Sequence, residues 1–279
     1  MRRLDGTAEG EKQRWQRRRP LTTEGPELSL WEALAILLAG VGAGGINAIV
    51  GSGTLFTFPV LLALGYPPVT ASISNSVGLA PGSLTGAIGY RRELAGQSRR
   101  VLRLGAMSCL GAITGGTLLV SLPPDVFERV VPLLIGLACV LIMVQPRLGA
   151  WMRRRRAGRS ERGPLLPLGV YGTGVYGGYF AAAQGIVLIS VLGLSLDEDL
   201  QRVNALKNAL TFAVNTTAAV FYIVFASPEW PVVALIAGGS VIGGYVGARF
   251  GRLLRPFALR VIIVAVGLSA MVQLVLGQI

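Results

Sequence analysis

Long stretches almost free of ionisable side chains alternate along this chain with short arginine-rich clusters. A helix crossing a bilayer needs about 20 predominantly apolar residues. Segments 31–50, 70–90, 104–121, 127–145, 165–183, 203–226, 231–248 and 257–276 meet that length and are predicted to span a membrane as helices. Two further apolar runs, 54–66 (TLFTFPVLLALGY) and 186–196 (IVLISVLGLSL), are too short to cross unaided. Each follows a glycine-rich stretch, GAGGINAIVGSG at 42–53 and GVYGGYFAAAQG at 174–185. A long helix, a glycine-rich break and a short helix read together as a discontinuous or re-entrant helix pair. Irregular backbone at membrane depth is tolerated only inside protein or around a cavity.

The breaks also expose an internal repeat. Gly44-Gly45 and Gly177-Gly178 are separated by 133 residues, and Asn75 and Asn208 by the same offset. Gly115-Gly116 and Gly243-Gly244 match at 128, because the 91–103 loop of the first half is replaced by the short SPEWP loop (227–231) in the second. The chain therefore divides into a polar basic tail (1–29), a first membrane repeat (30–146), a basic linker (147–164) and a second membrane repeat (165–279). Positive charge gathers in 91–103 of one half and 249–260 of the other, whereas 121–126 and 227–231 carry none. Arginine-rich loops stay cytoplasmic, so equivalent loops fall on opposite sides, as in an inverted repeat. The seven Lys/Arg of the tail oppose that arrangement, and a parallel pair is its competitor.

Composition narrows the function. Of 279 residues, 52% are hydrophobic and 14% charged, against about 25% charged in soluble domains. An ordinary soluble enzyme and a disordered chain are excluded. The net charge of +12 lies between apolar segments and meets lipid headgroups rather than nucleic acid. There is no histidine, so histidine triads, relays and metal sites are excluded, and the two cysteines lie within apolar spans. No short apolar core with a cleavage site precedes the first long span, so a cleavable signal peptide is not expected. The fold class that follows is an all-α, polytopic membrane protein without cofactor or metal.

Three motifs invite chemistry. Gly40, Gly42 and Gly45 spell G-x-G-x-x-G, but a dinucleotide site needs a preceding strand, and these glycines lie in a membrane span. Gly51-Ser52-Gly53 lacks a histidine base, leaving Lys207, the only lysine outside the tail, as a remote Ser–Lys partner. No catalytic residue is assigned. Anion binding suits the breaks better, because half-helix N-termini present N–H groups and a positive dipole end. The expected contacts are Gly44, Gly45, Asn47, Gly51, Ser52, Gly53 and Thr54 at the first break and Gln184 at the second. Ser74, Asn75 and Ser76 face them from 70–90, and Asn204, Lys207 and Asn208 share one face of 203–226 at i, i+3, i+4. Gly111/Gly115 and Gly239/Gly243/Gly247, spaced by four, are expected instead to let helices approach. No Asp or Glu falls mid-span, so the pathway favours anions over cations.

The stretch GAGGINAIVGSGTLFTFPVLLALGYPPVTASISNSVGLAPGSLTGAIGYRREL (42–94), with LKNAL…N around Lys207, resembles the TauE/SafE-type sulfite exporters over roughly 31–277. It departs from that family in its long basic tail and in Gly-Ser-Gly where a longer glycine run is expected. The resemblance implies a multi-pass plasma-membrane transporter, expected to be an exporter, of sulfite, sulfonates, sulfoacetate or related small anions, whose partners are that anion and the lipid bilayer. An anion channel is the alternative, with an intramembrane enzyme or assembly factor as a third reading.

Overall fold

The computed structural model describes residues 28–154, 165–250 and 256–276, all α-helix and connecting turns. Most of the tail (1–29) and part of the linker (147–164) lie outside the described residues. The helices are α1 (Leu30–Ile49), α2 (Thr54–Ala63), α3 (Pro68–Gly89), α4 (Ser98–Ser121), α5 (Pro124–Arg154), α6 (Leu165–Tyr179), α7 (Gln184–Ser195), α8 (Leu200–Phe225), α9 (Trp230–Phe250) and α10 (Pro256–Leu276). Their starts follow local chemistry. Ser29 and Glu32 form a reciprocal capping box on α1, Pro68 occupies the first position of α3, and Asp199 caps α8 through the Gln201 amide.

Among the described residues, five of the eight expected spans form helices long and apolar enough to cross a bilayer: α1, α4, α5 up to Arg147, α8 and α9. The α3 helix has 22 residues and is mostly buried. Its serines and Asn75 are compatible with a membrane because protein, not lipid, surrounds them. The α6 helix stops after 15 residues at Tyr179, short of the expected 165–183.

Glycine contacts fix the packing and direction of the helices. A methyl on Gly40 would lie 3.0 Å from the Ile236 backbone, and one on Gly44 would lie 2.7 Å from Ser240 Cα. Contacts thus advance together along α1 and α9. The same holds for α3 and α9, where Gly78 meets Ile236, Gly82 meets Ser240 and Gly89 meets Ala248. In the other group, Gly111 meets Tyr171 and Gly174, while Gly115 meets Val175 and Tyr179, so α4 and α6 run together. Arg100 pairs with Glu198 and Gly116 meets Phe221, which aligns α8 with α4. Between the groups the order reverses. Ser83 bonds Asn215 while Gly86 lies beside Asn208, so α3 and α8 are antiparallel. The bundle consists of one set (α1, α3, α9) against an opposite set (α4, α6, α8), with α5 packed on α10 at one side. The four-residue glycine spacings at 111/115 and 239/243/247 serve helix approach, as expected.

The short helices double back. Gly42 of α1 lies against Phe56 of α2, and Gly53 against Ala43 and Asn47, so α2 returns along α1. In the interior, Phe58 of α2 packs edge-on to Phe180, just after α6, at 5.1 Å. Facing outward are Leu38, Leu102, Leu133, Leu168, Val220 and Ile242, an apolar exterior suited to lipid.

Candidate functional site

The glycine runs are wider than the interruptions they predict. Helix α1 continues through Gly44 and Gly45 to Ile49, and α6 continues through Gly177 and Gly178 to Tyr179. Non-helical backbone is confined to 50–53 and 180–183. The expectation that Gly44 and Gly45 lie in unwound backbone is therefore corrected. Gly44 fits against Ser240, Gly45 against Gly243 and Gly247, and Gly178 against Ala112. Absence of a side chain at these four positions serves helix contact, or in Gly177 makes room for Gln184.

The two interruptions touch. The Gly185 amide donates to the Gly51 carbonyl at 2.9 Å, and a methyl on Gly51 would lie 2.5 Å from Gly185 Cα. Gly51 holds a φ of +84°, a region natural to glycine, whereas Ala181 (+62°) and Ala183 (+57°) occupy it with a side chain. Such residues cost about 1–2 kcal/mol each, and such strain clusters at functional sites.

On the α1 side of the first interruption, α8 reaches across to the end of α1. Lys207 Nζ donates to the carbonyls of Asn47 (3.3 Å) and Ala48 (3.4 Å), and Asn208 Nδ2 donates to Ala48 (3.3 Å) and Asn204 (3.1 Å). These carbonyls carry the negative end of the α1 dipole and have no partner further along the helix. Lys207 is fully buried, the only charged side chain so placed among the described residues, and it makes no salt bridge there. Asn47 donates its side-chain amide to Ser83 (3.4 Å), and Asn215 donates to the same hydroxyl at 2.6 Å. This ties α1, α3 and α8 together.

On the α2 side, Asn75 Nδ2 donates to Thr54 Oγ1 at 3.2 Å, and the Thr57 hydroxyl donates to Asn75 Oδ1. Between the two clusters stands Ser52, wholly buried, its hydroxyl without a protein partner. At the second interruption Gln184 is 2% exposed, its amide lies over Gly177, and its Nε2 has no partner. Tyr176 OH on α6, Thr211 Oγ1 and the Asn204 side-chain Oδ1 on α8 are buried and unpartnered as well, as are Ser108 Oγ, Gln145 Oε1 and Thr216 Oγ1 elsewhere in the bundle. Buried polar groups are nearly always paired, so an unpartnered polar side chain at each interruption, Ser52 at one and Gln184 at the other, is notable.

Not every expected contact converges. Ser74 accepts from the Glu229 amide at 2.9 Å, tying α3 to the start of α9, and so belongs to the 227–231 end rather than to Lys207. Ser76 turns back onto the Ser72 carbonyl of its own helix. Asn47, Ser52, Lys207 and Asn208 gather at or beside 50–53, with Gly51, Gly53 and Thr54 in or at the edge of that stretch. Ser83 and Asn215 join the α1-side cluster and Thr57 the α2-side one, and none of the three was among the expected contacts. Their signal was a polar side chain in an apolar span, Asn215 and Ser83 lying 132 residues apart, close to the repeat offset.

At the end shared by α3, α4 and α8, Arg100 (3.1 Å) and Arg202 (2.8 Å) both pair with Glu198. Partial burial pushes the Glu198 carboxyl upward, but hydrogen bonds from both guanidinium groups and their charges outweigh it and hold the carboxyl below its ordinary value.

Helices with an apolar exterior, interrupted at a buried polar centre that holds an unpaired lysine, define a multi-pass membrane transporter. Residues 36–274 match the family described as "Sulfite exporter TauE/SafE". The chain belongs to that family, a family of transporters and not of enzymes. It is 27% identical over 219 residues to a "Probable membrane transporter protein" of Haemophilus influenzae, covering 78% of this chain and 85% of that one. Similarity to the "Probable membrane transporter protein YfcA" of Escherichia coli K12 is 26% over 238 residues, 82% and 84% of the two chains. For the "Probable membrane transporter protein YdhB" of Bacillus subtilis it is 24% over 230 residues, 81% and 90%. No solved structure matches the chain significantly.

Proposed function

We propose that this transporter carries a small sulfur oxyanion of the sulfite or sulfonate class out of the cell across the plasma membrane. The anion binds at the first interruption, against Lys207, Ser52 and the N-terminus of α2, with Gln184 approaching from the second. The observation that carries this reading is a fully buried lysine that forms no ion pair with any described acidic residue. An uncompensated charge at such depth is costly and marks a functional site whose counter-charge comes from a ligand. Ser52 supplies an unused hydroxyl, and the start of α2 adds the positive end of a helix dipole, its Leu55 and Phe56 amides already turned onto the Ser52 and Gly53 carbonyls.

The inverted-repeat reading draws support from helix direction. Paired in order, α1, α3 and α9 run opposite to α6, α8 and α4. The two doubled-back helices then enter as re-entrant pairs from opposite faces and meet at Gly51 and Gly185. Backbone contact at that meeting point favours a carrier over an open channel. An inside-negative potential expels a single negative charge by about 2.3 kcal/mol per 100 mV. With no buried Asp or Glu among the described residues, export needs no sodium.

Flux of sulfite and sulfonates in proteoliposomes tests the proposal. Lys207→Gln keeps amide donors for the Asn47 and Ala48 carbonyls while removing the charge. A charge contact at about 4 Å is worth up to about 4 kcal/mol at an effective dielectric of 20 before desolvation, so affinity should fall ten- to a hundredfold. Lys207→Arg should lie between, because a planar guanidinium needs different room. Unchanged affinity in Lys207→Gln would show the site to be misplaced, and non-saturating flux would favour a channel.

A further inference from the structure

We infer that the site accepts singly charged anions and rejects dianions of the same shape, an inference that rests on the anion-site reading above. The argument is one of charge balance. Lys207 supplies one positive charge at complete burial, and no other charged side chain is buried among the described residues. The groups bonded at this point are neutral: the Asn47 and Ala48 carbonyls, and the Asn208 amide that shares the Ala48 carbonyl. An ammonium has three donors. Two are committed to α1 carbonyls, which leaves a single N–H for a ligand.

One negative charge makes the occupied site neutral. A second would stand uncompensated in surroundings where isolated charge is strongly disfavoured. The α1 carbonyls strengthen the discrimination, because the end of α1 presents the negative pole of its dipole beside Lys207. The breaks provide hydroxyl and amide donors but no second cation. Arg100 and Arg202 both bind Glu198 at the partly exposed end of the bundle and are not buried, so neither supplies a second buried cation beside Lys207. The chemical class that fits is a tetrahedral or pyramidal oxyanion with one charge: an alkyl sulfonate, or an inorganic oxyanion in its singly protonated form.

Methanesulfonate and sulfate test this directly, since both are tetrahedral and differ by a methyl in place of a charged oxygen. Ligand-induced stabilisation of the full-length protein in detergent measures the two affinities, at matched ionic strength. Methanesulfonate should bind at least about a hundredfold more tightly, about 2.8 kcal/mol at 1.4 kcal/mol per tenfold. Lys207→Arg should keep the order of preference, and Lys207→Gln should weaken methanesulfonate towards the sulfate value. Sulfate binding as tightly as methanesulfonate overturns the monoanion inference and leaves the anion site standing. If neither anion stabilises the wild-type protein, the anion-site reading falls and takes the inference with it.

Discussion

Contact between the two interruptions can be dissected with three alanine substitutions. Gly51 and Gly65 share nearly the same backbone, φ +84° and +83°, but differ in their surroundings. A methyl at Gly65 meets nothing within 4 Å, whereas at Gly51 it lies 2.5 Å from Gly185 Cα and 3.1 Å from the Gly185 carbonyl carbon. Gly185 supplies the complementary case: its methyl would lie 2.5 Å from Gly51 Cα, and its φ is not in the left-handed region. Gly65→Ala thus reports conformational cost alone, about 1–2 kcal/mol. Gly185→Ala reports overpacking, about 1–3 kcal/mol, plus up to about 1 kcal/mol if the 2.9 Å hydrogen bond to Gly51 is lost. Gly51→Ala combines both and should cost about 2–5 kcal/mol by the same reckoning. The assay is the unfolding midpoint in mixed micelles of increasing denaturing detergent, paired with flux in proteoliposomes. Stability should fall in the order Gly65→Ala, Gly185→Ala, Gly51→Ala, with flux impaired only in the last two. If Gly65→Ala is as damaging as Gly51→Ala, or Gly185→Ala is neutral, the interruptions do not depend on this contact.

Removing the Tyr222 hydroxyl (Tyr222→Phe) strips a donor from the Gly178 carbonyl at the end of α6 and should cost about 1 kcal/mol in the same titration. Asn75→Ala loses its bonds to both Thr54 and Thr57 and should cost about 2–3 kcal/mol, because two buried hydroxyls lose a partner. The Glu198 carboxyl is held below its ordinary value, so its stabilisation is complete above the unfolded carboxylate pKa, about 4.3, and fades as pH falls through the lower folded value. Glu198→Gln should abolish that acid-dependent part of the unfolding curve, and an unaltered curve would remove Glu198 from the account. Single cysteines at Ser227 and Arg91, with Cys109 and Cys139 replaced, should label from opposite faces of intact cells; labelling from one face contradicts the inverted arrangement.

Helix positions were legible because burial in lipid demands an apolar run of known length, and the runs at 31–50, 104–121 and 231–248 became helices. The interruptions were legible in place but not in extent. Gly44 and Gly178 look like helix breakers in the sequence, yet each serves to admit another helix backbone. Composition alone does not separate a glycine that unwinds a helix from one that lets a neighbour approach. The polar cluster 72–76 was readable as important but not as divided. Ser74 turns to Glu229 and Asn75 to Thr54 because successive residues of a helix point about 100° apart, and nothing in the sequence says which neighbour waits on each side. Lys207 was legible as the odd charge in an apolar span; its bonds to the end of α1 depend on long-range packing between residues 160 apart.

The pairing of α1 with α9 and of α6 with α4 bears on how the chain is made. The glycine face of α1 is completed by Ile236, Ser240 and Gly243, which leave the ribosome some two hundred residues later. During synthesis that face must rest against lipid or another protein, and the end of α1 waits for Lys207 to engage its carbonyls. A fragment ending at residue 146 would lack both, and one starting at 165 would lack the α4 surface on which Gly174 and Gly178 rest. Neither fragment should reach its mature shape when produced alone. Produced together in one membrane, each carries the surface that the other is missing.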